Sequence, residues 1–270
     1  VLSYGETRGL DIDNGLVWVV IEVNADPSAN IPENFLSQLR ERIESLGGKW
    51  ELVYRNRIQV WLPVDELRDI ASWPDINLIR EPIKPIPPVD PPKLKRESVS
   101  DNVKPQPADR AEVMSQGVPL IGADKWQSGG INGSGVKVAV IDQGFYGYSN
   151  LLGTELPSYN SVNIRIYGTS NDFSSTNHGT ACAEIIHDIA PGAILYLTQP
   201  RTDIELGDAV NWCIAQGVRV ISHSVVWPYN WGGQLNGTGF INEIVNSANS
   251  HGIIWVNASG NHARKHWSGF

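Results

Sequence analysis

The chain has 270 residues, of which 41% are hydrophobic and 19% are charged, and its formal net charge is −8. This length suits one large domain or two smaller ones, and the composition is that of an ordinary globular protein. The negative net charge argues against a nucleic-acid partner or an anionic membrane surface, both of which favour basic proteins. No apolar run reaches the roughly 18 residues that a membrane span needs.

Residues 16–80 have the pattern of a small α/β unit. Strands are predicted at 16–23, near 49–54, at 57–63 and at 76–81, with a longer helix that begins at Pro32-Glu33 and a short one over 64–71. The predicted order is β-α-β-β-α-β, a ferredoxin-like arrangement occupying residues 1–81. Residues 82–116 are predicted to be a linker, because eight of the 17 prolines fall between 82 and 107.

A different pattern begins at residue 117 and continues to 270. Short, continuously apolar strands are predicted at 137–142, 193–197, 218–226 and 253–256, and amphipathic helices alternate with them. In the first of these helices the predicted buried stripe consists of Cys182, Ile185, Ile186 and Ile189. Strands that are apolar on both faces and alternate with helices predict a doubly wound parallel sheet, here incomplete.

Three polar residues follow or precede these elements at positions suited to chemistry. Asp142 ends one strand, Asn261 follows another, and His178 precedes Gly179-Thr180 at the start of a helix. Because sites in open α/β sheets form at the carboxyl ends of the strands, we expect these side chains to lie close together. Alone, Asp142 would indicate a turn former or a helix cap, His178 a structural histidine and Asn261 a turn, so the prediction depends on their joint occurrence in this order.

The segments "GVKVAVIDQGF", "NHGTACAEIIHDIAPGA" and "VNASGN" resemble the Asp, His and oxyanion-Asn blocks of the subtilisin-like serine peptidases, or subtilases. The resemblance covers roughly residues 117–262 and implies a subtilisin-like fold. It also implies that His178 is the general base, that Asp142 orients it, and that Asn261 donates a hydrogen bond to the oxyanion. It further implies that a peptide substrate lies along Ser224–Val226, with Asn257–Gly260 as a second wall.

The family's nucleophile lies in a Gly-Thr-Ser-x-x-x-Pro block after the oxyanion Asn, and no such block follows Asn261. The one "GTS" in the chain, at 168–170, precedes His178 and is interpreted as a loop. We therefore expect the serine beyond Phe270, and we expect that these 270 residues alone do not hydrolyse peptides.

The resemblance has further implications. The unit over 1–81 resembles the propeptide of the family, so an intramolecular propeptide and a protein or peptide substrate are the expected partners. No cofactor is expected apart from a structural calcium ion. An extracellular or cell-envelope location is implied in the same way, and since the chain begins with Val1, the absence of a recognisable signal peptide says nothing about export.

Four alternatives remain beside this interpretation. The chain could be a catalytically inactive, subtilase-like module that binds peptides. Cys182 lies one helical turn after His178 and could form a Cys–His nucleophile pair, although its place in the apolar stripe favours a buried structural role. His262 and His266 have a spacing that can bind zinc, but no third ligand is evident. A nucleotide-binding protein is disfavoured because "SGGINGSG" precedes a strand instead of following one.

Overall fold

The computed structural model describes residues 10–86, 114–228 and 237–260. The chain divides into two compact units, of which the first comprises residues 1–84 together with 202–208 and the second comprises 85–201 and 209–270. The segment Thr202–Asp208 is a part of the first unit that the sequence pattern did not indicate. The predicted linker over 82–116 lies mostly outside the described residues.

The first unit is built on an antiparallel sheet. Its strands are β1 (Ile12–Asp13), β2 (Leu16–Val23), β3 (Lys49–Tyr54), β4 (Arg57–Pro63) and β5 (Ile76–Arg80), and its helices are α1 (Glu33–Ser45) and α2 (Leu67–Ala71). The sheet order is β1-β2-β4-β3, and β5 also pairs with β2. Central strand β2 therefore pairs with β4 along most of its length and with β5 over its second half.

The two faces of this sheet differ in polarity, because side chains alternate along a strand. On one face Val19 and Ile21 of β2 and Ile58 of β4 pack against Leu39 and Ile43 of α1, which makes an apolar core. Alternate residues place Trp18, Glu22, Arg57, Gln59 and Trp61 on the opposite face.

Within the first unit, residues 202–208 interact with polar groups of β4 and of the chain leaving β5. Thr202 Oγ1 donates to Gln59 Oε1 at 2.6 Å, and Arg80 Nη2 lies 2.6 Å from Asp203 Oδ2. Both side chains of this ion pair are nearly inaccessible, with exposed fractions of 7% and 0%. The backbone N–H of Asp203 also donates to Ile83 O at 2.9 Å. A buried pair of this kind is supported by the additional hydrogen bonds around it.

The second unit is built on a parallel sheet. Its strands are β6 (Lys137–Ile141), β7 (Val162–Arg165), β8 (Ile194–Thr198), β9 (Val220–His223) and β10 (Ile254–Asn257). They are arranged in the order β10-β9-β6-β8-β7, and every pairing is parallel. After β6, the chain places β7 and β8 on one side of β6 and then β9 and β10 on the other side. The predicted α/β class with a doubly wound parallel sheet is therefore confirmed.

Helices connect or precede these strands: α3 (Gly117–Leu120), α4 (Ala123–Ser128), α5 (Ser170–Phe173), α6 (His178–Ile189), α7 (Asp203–Gln216) and α8 (Phe240–Ser250). Helix α7 begins in the segment assigned to the first unit and ends in the second. The core contains β6 and β8, whose residues Val140, Leu195 and Leu197 are buried together with Phe145 and Phe173.

Several elements differ from the prediction. Strand β9 ends at His223, so residues 224–226 do not continue it as predicted. Helix α6 buries Gly179, Thr180, Ala183 and His187, whereas Ile185 of the predicted stripe is 50% exposed. The reason is that small residues on one side allow α6 to approach its neighbours closely. In β10, Ile254 and Val256 are 64% and 53% exposed, whereas the sequence pattern predicted a strand that is buried on both faces.

Candidate active site

Asp142 follows β6 directly, at the point where the winding of the parallel sheet reverses. Its side chain is 1% exposed, and its backbone N–H donates to Thr198 O at the end of the neighbouring β8. The Oδ1 atom accepts a hydrogen bond from the Gln143 backbone N–H at 2.7 Å. Burial raises the pKa of Asp142, and the hydrogen bonds from Gln143 and His178 oppose that rise.

His178 is the first residue of α6 and faces Asp142. The Nδ1 atom lies 2.8 Å from Oδ1 and 3.0 Å from Oδ2 of Asp142. Its side chain is 37% exposed. Because a carboxylate accepts hydrogen bonds, Nδ1 carries the proton and Nε2 is left as the basic nitrogen. The predicted pair of Asp142 and His178 is thus brought together.

Two glycines allow this approach. The backbone N–H of Gly179 donates to Gly144 O at 2.9 Å, which fastens the start of α6 to the loop after β6. A Cβ atom at Gly179 would lie 2.7 Å from Gly144 O and 2.8 Å from the Cβ of Asp142. A Cβ at Gly144 would lie 2.7 Å from the Thr176 backbone nitrogen. Only glycine fits at both positions, because the two backbones are in direct contact.

Cys182 lies one turn further along α6, and its Sγ is 4.0 Å from His178 Nδ1. Burial is the main reason that the pKa of its thiol rises to about 11, and the nearby Asp142 carboxylate adds to that rise. The thiol therefore lies beside His178 Nδ1, which is already hydrogen-bonded to Asp142. The thiol is protonated at neutral pH. Both observations disfavour a Cys–His nucleophile pair.

Asp142, His178 and Cys182 each offer a ligand atom, and these atoms lie within 4.8 Å of one another. Oxygen, nitrogen and sulfur together suit a soft transition metal, whereas calcium prefers oxygen ligands alone. This cluster is therefore not the structural calcium site, which stays a prediction.

The predicted substrate segment follows β9. Val225 is buried, and Val226 forms an antiparallel bridge with Ile86. The Ile86 backbone N–H donates to Val226 O at 2.8 Å, and the Gln143 side-chain amide donates to Ile86 O at 2.5 Å. One residue of the same chain, Ile86, therefore pairs with the segment along which the sequence predicted a peptide.

The third predicted polar residue, Asn261, lies outside the described residues, as do His262 and His266. Gly260, just before Asn261, has a φ of 84°, a left-handed conformation that favours glycine. Gly260 is the last described residue of the segment that follows β10.

Two residues near the site were missed from the sequence. Gln143 contacts both Asp142 and Ile86, and nothing in its type or spacing indicated this. His223 ends β9 as Asp142 follows β6, so the rule that selected Asp142 would also have selected His223. The strand predicted over 218–226 continues past His223, so the sequence pattern did not mark this residue as a strand end.

The fold and the paired side chains define an α/β protein with a carboxylate–imidazole pair at the carboxyl edge of a parallel sheet. Residues 133–268, just over half of the chain, match the model of the Subtilase family. The chain belongs to this family.

Individual relatives agree with this assignment. The chain is 27% identical over 166 residues to subtilisin DY of Bacillus licheniformis, covering 56% of this chain and 56% of that protein. It is 27% identical over 158 residues to the minor extracellular protease Epr of Bacillus subtilis, covering 53% of this chain and 22% of Epr. The chain thus spans 56% or less of the length of these two relatives.

The crystal structure of the S393A mutant of the epidermin leader peptide processing serine protease (EpiP) from Staphylococcus aureus has a similar fold. The TM-score is 0.55 with 13% sequence identity, covering 92% of this chain and 61% of that one. Among the described residues, no helix combines the length and apolar character that crossing a bilayer requires.

Proposed function

We propose that the protein is a serine endopeptidase in which His178 is the general base and Asp142 orients it. The observation that carries the proposal is the contact between His178 Nδ1 and Asp142 Oδ1 at 2.8 Å. A buried carboxylate at Nδ1 holds the imidazole in one tautomer and stabilises the imidazolium that forms when Nε2 takes a proton. The partial exposure of His178 leaves room for a substrate and a nucleophile beside it.

The nucleophile in this proposal is a serine of a Gly-Thr-Ser-x-x-x-Pro segment outside the 270 residues. Its hydroxyl would pass its proton to His178 Nε2 while Oγ attacks the peptide carbonyl, and the proton would then go to the leaving amine. Asn261 would donate its side-chain amide to the oxyanion, a contact typically worth about 3 kcal/mol of barrier.

The test uses the complete gene product and a casein substrate. Wild type should hydrolyse casein and should be labelled by a serine-directed fluorophosphonate. His178→Ala should abolish turnover, whereas His251→Ala, a change at an exposed histidine far along the chain, should leave it unchanged. Absence of labelling in the complete wild-type protein would refute the proposal. The 270 residues alone should be inactive, and fluorophosphonate-sensitive turnover by them would contradict that expectation.

We also propose that Ser224, Val225 and Val226 bind the peptide substrate as an added strand. The bridge between Ile86 and Val226 supports this, because it uses the same backbone groups that a substrate would use. Val226→Pro, which leaves the Val226 carbonyl in place but restricts the backbone, should raise KM more than it lowers kcat.

Residues 1–81, proposed to be a ferredoxin-like propeptide, would then be followed by a tail that includes Ile86. The chain leaves β5 at Arg80, and Ile86 reaches Val226 only six residues later. N-terminal sequencing of the mature enzyme tests the proposal, since a start before residue 20 would contradict removal of residues 1–81. The extracellular or cell-envelope location is proposed by analogy with Epr, and secretion of the complete gene product would test it.

A second candidate is a non-catalytic peptide-binding module. The bridge at Val226 favours it as well, because binding an extended segment needs no nucleophile. This candidate predicts that binding of a labelled peptide survives His178→Ala and that the complete protein fails to react with a fluorophosphonate.

A further inference from the structure

His223 is a buried histidine that the proposed mechanism does not use. It ends β9, its exposed fraction is 2%, and its ring lies between polar partners from two different segments. Nδ1 lies 2.7 Å from Asn257 Oδ1, at the end of β10. Nε2 lies 3.3 Å from Trp227 Nε1, in the segment after β9.

These partners determine which nitrogen carries the proton. The Asn257 Nδ2 group donates to Ala258 O at 2.8 Å, which fixes the amide so that Oδ1 faces His223. The amide oxygen can only accept, so His223 Nδ1 must donate. The indole N–H of Trp227 can only donate, so Nε2 must accept. Both partners are satisfied by the neutral Nδ1–H tautomer and by no other state of the ring.

The surroundings keep the ring neutral. The Trp255 ring lies 5.1 Å from the His223 ring, centroid to centroid. Burial lowers the pKa of His223 to about 4, although the hydrogen bond with Asn257 acts in the opposite direction. The His223 ring is therefore uncharged at neutral pH, with Nδ1 donating to Asn257 and Nε2 accepting from Trp227.

The two segments joined by this bridge are the ones that border the peptide edge. Trp227 directly follows Val226, whose carbonyl accepts the Ile86 N–H. Asn257 begins the 257–260 segment, and the Ala258 N–H donates to His223 O at 3.1 Å. We propose that His223 is a positioning residue that sets the spacing between the 224–227 and 257–260 walls of the peptide cleft. This inference rests on the proposed function for its meaning in catalysis, but its structural part can be tested without turnover.

The structural test measures hydrogen exchange at the Ile86 amide by NMR. His223→Phe should accelerate exchange by about fivefold, the change expected for loss of the neutral hydrogen bond between Trp227 and His223, which supports the 224–227 wall. His223→Gln, which can place an acceptor near the Trp227 indole, should restore exchange to near the wild-type rate. His223→Asn, which keeps only the donor toward Asn257, should not restore it. His251→Phe serves as the matched control and should change nothing.

A milder variant protects the test against misfolding. Trp227→Phe removes one N–H and keeps an aromatic ring, so it should accelerate Ile86 exchange as His223→Phe does. The double variant should show no further effect. Wild-type exchange in Trp227→Phe, or failure of His223→Gln to rescue, would overturn the proposal. Nitrogen NMR of labelled His223 should also show the Nδ1–H tautomer, and the Nε2–H tautomer would equally overturn it.

The catalytic test uses the complete gene product. His223→Phe should raise KM about fivefold and leave kcat nearly unchanged, because the walls bind substrate and do not touch the reacting atoms. A fall in kcat with unchanged KM would contradict a positioning role in the cleft. If wild type neither turns over casein nor reacts with a fluorophosphonate, the proposed function fails, while Ile86 exchange still decides the role of His223.

Discussion

Replacement of Gly179 by Ala should disrupt the contact between His178 and Asp142. A Cβ atom there would lie 2.7 Å from Gly144 O, 2.7 Å from Phe145 Cε1 and 2.8 Å from Asp142 Cβ. Backbone and a fully buried ring cannot yield as a flexible side-chain end would. The start of α6 must therefore retreat by several tenths of an ångström, at a cost of about 1–3 kcal/mol in unfolding free energy. The 2.8 Å contact of His178 with Asp142 then lengthens.

Urea denaturation measures the loss of stability, and the Nδ1–H proton signal of His178 reports the contact itself. In the complete gene product, kcat/KM should fall by about tenfold to a hundredfold, the range for a small misplacement of a catalytic group. Gly117→Ala is the matched control, since a Cβ there meets nothing closer than Ser115 Oγ at 3.4 Å. Equal stability and an unchanged His178 signal in Gly179→Ala would refute this reasoning.

Three further predictions concern buried ionisable groups. The pKa of His223 falls from 6.5 to about 4 on folding, so its contribution to the stability of the folded state is complete above pH 6.5 and is lost as pH falls toward 4. Over that interval the unfolding free energy of wild type should fall by ~3 kcal/mol. An equal fall in His223→Phe would contradict the assignment. Arg80→Met should cost about 3–5 kcal/mol because Asp203 stays buried without its partner, and adding Asp203→Leu should recover much of the loss in a double-mutant cycle followed by urea denaturation. Cys182, with a pKa of about 11, should react with iodoacetamide at pH 8 about a hundredfold more slowly than a free thiol; alkylation at the free-thiol rate would revive the Cys–His alternative.

Local patterns were sufficient for much of the fold. The apolar runs around Val140 and Leu197 are β6 and β8, and the alternation in β4 produced the two-faced sheet of the first unit. Strand β7 and helices α3 to α5 were not predicted, because they are short and carry no clear period. The buried side of α6 was predicted only in part: Cys182 and Ile186 pack against the core, but Ile185 is exposed. Close packing selects small residues such as Gly179 and Ala183, which hydrophobicity alone ranks below isoleucine.

The sequence predicted only those residues of the candidate site that a local pattern marks. Asp142 and His178 were identified because each lies at the edge of a regular element, and the parallel sheet brings them together. The contact of Gln143 with Ile86 joins distant parts of the chain, so no local pattern encodes it. The bridge from Asn257 through His223 to Trp227 likewise depends on strand order, which a single sequence does not specify.

The bridge between Ile86 and Val226 has a consequence for measured affinities. Because both residues belong to one chain, Ile86 is present at the edge at an effective concentration that is typically millimolar for tethered segments. The backbone hydrogen bond from the Ile86 N–H to Val226 O would be too weak to hold a free peptide, and the tether makes it form far more often than a free peptide would form it. A peptide or inhibitor that binds this edge as proposed competes with Ile86, and its apparent dissociation constant rises by the factor 1/(1 − f), where f is the fraction of time that Ile86 occupies the edge. Ligands ranked against the intact chain would keep their order, but all would bind more weakly than to a protein from which residues up to Ile86 had been removed.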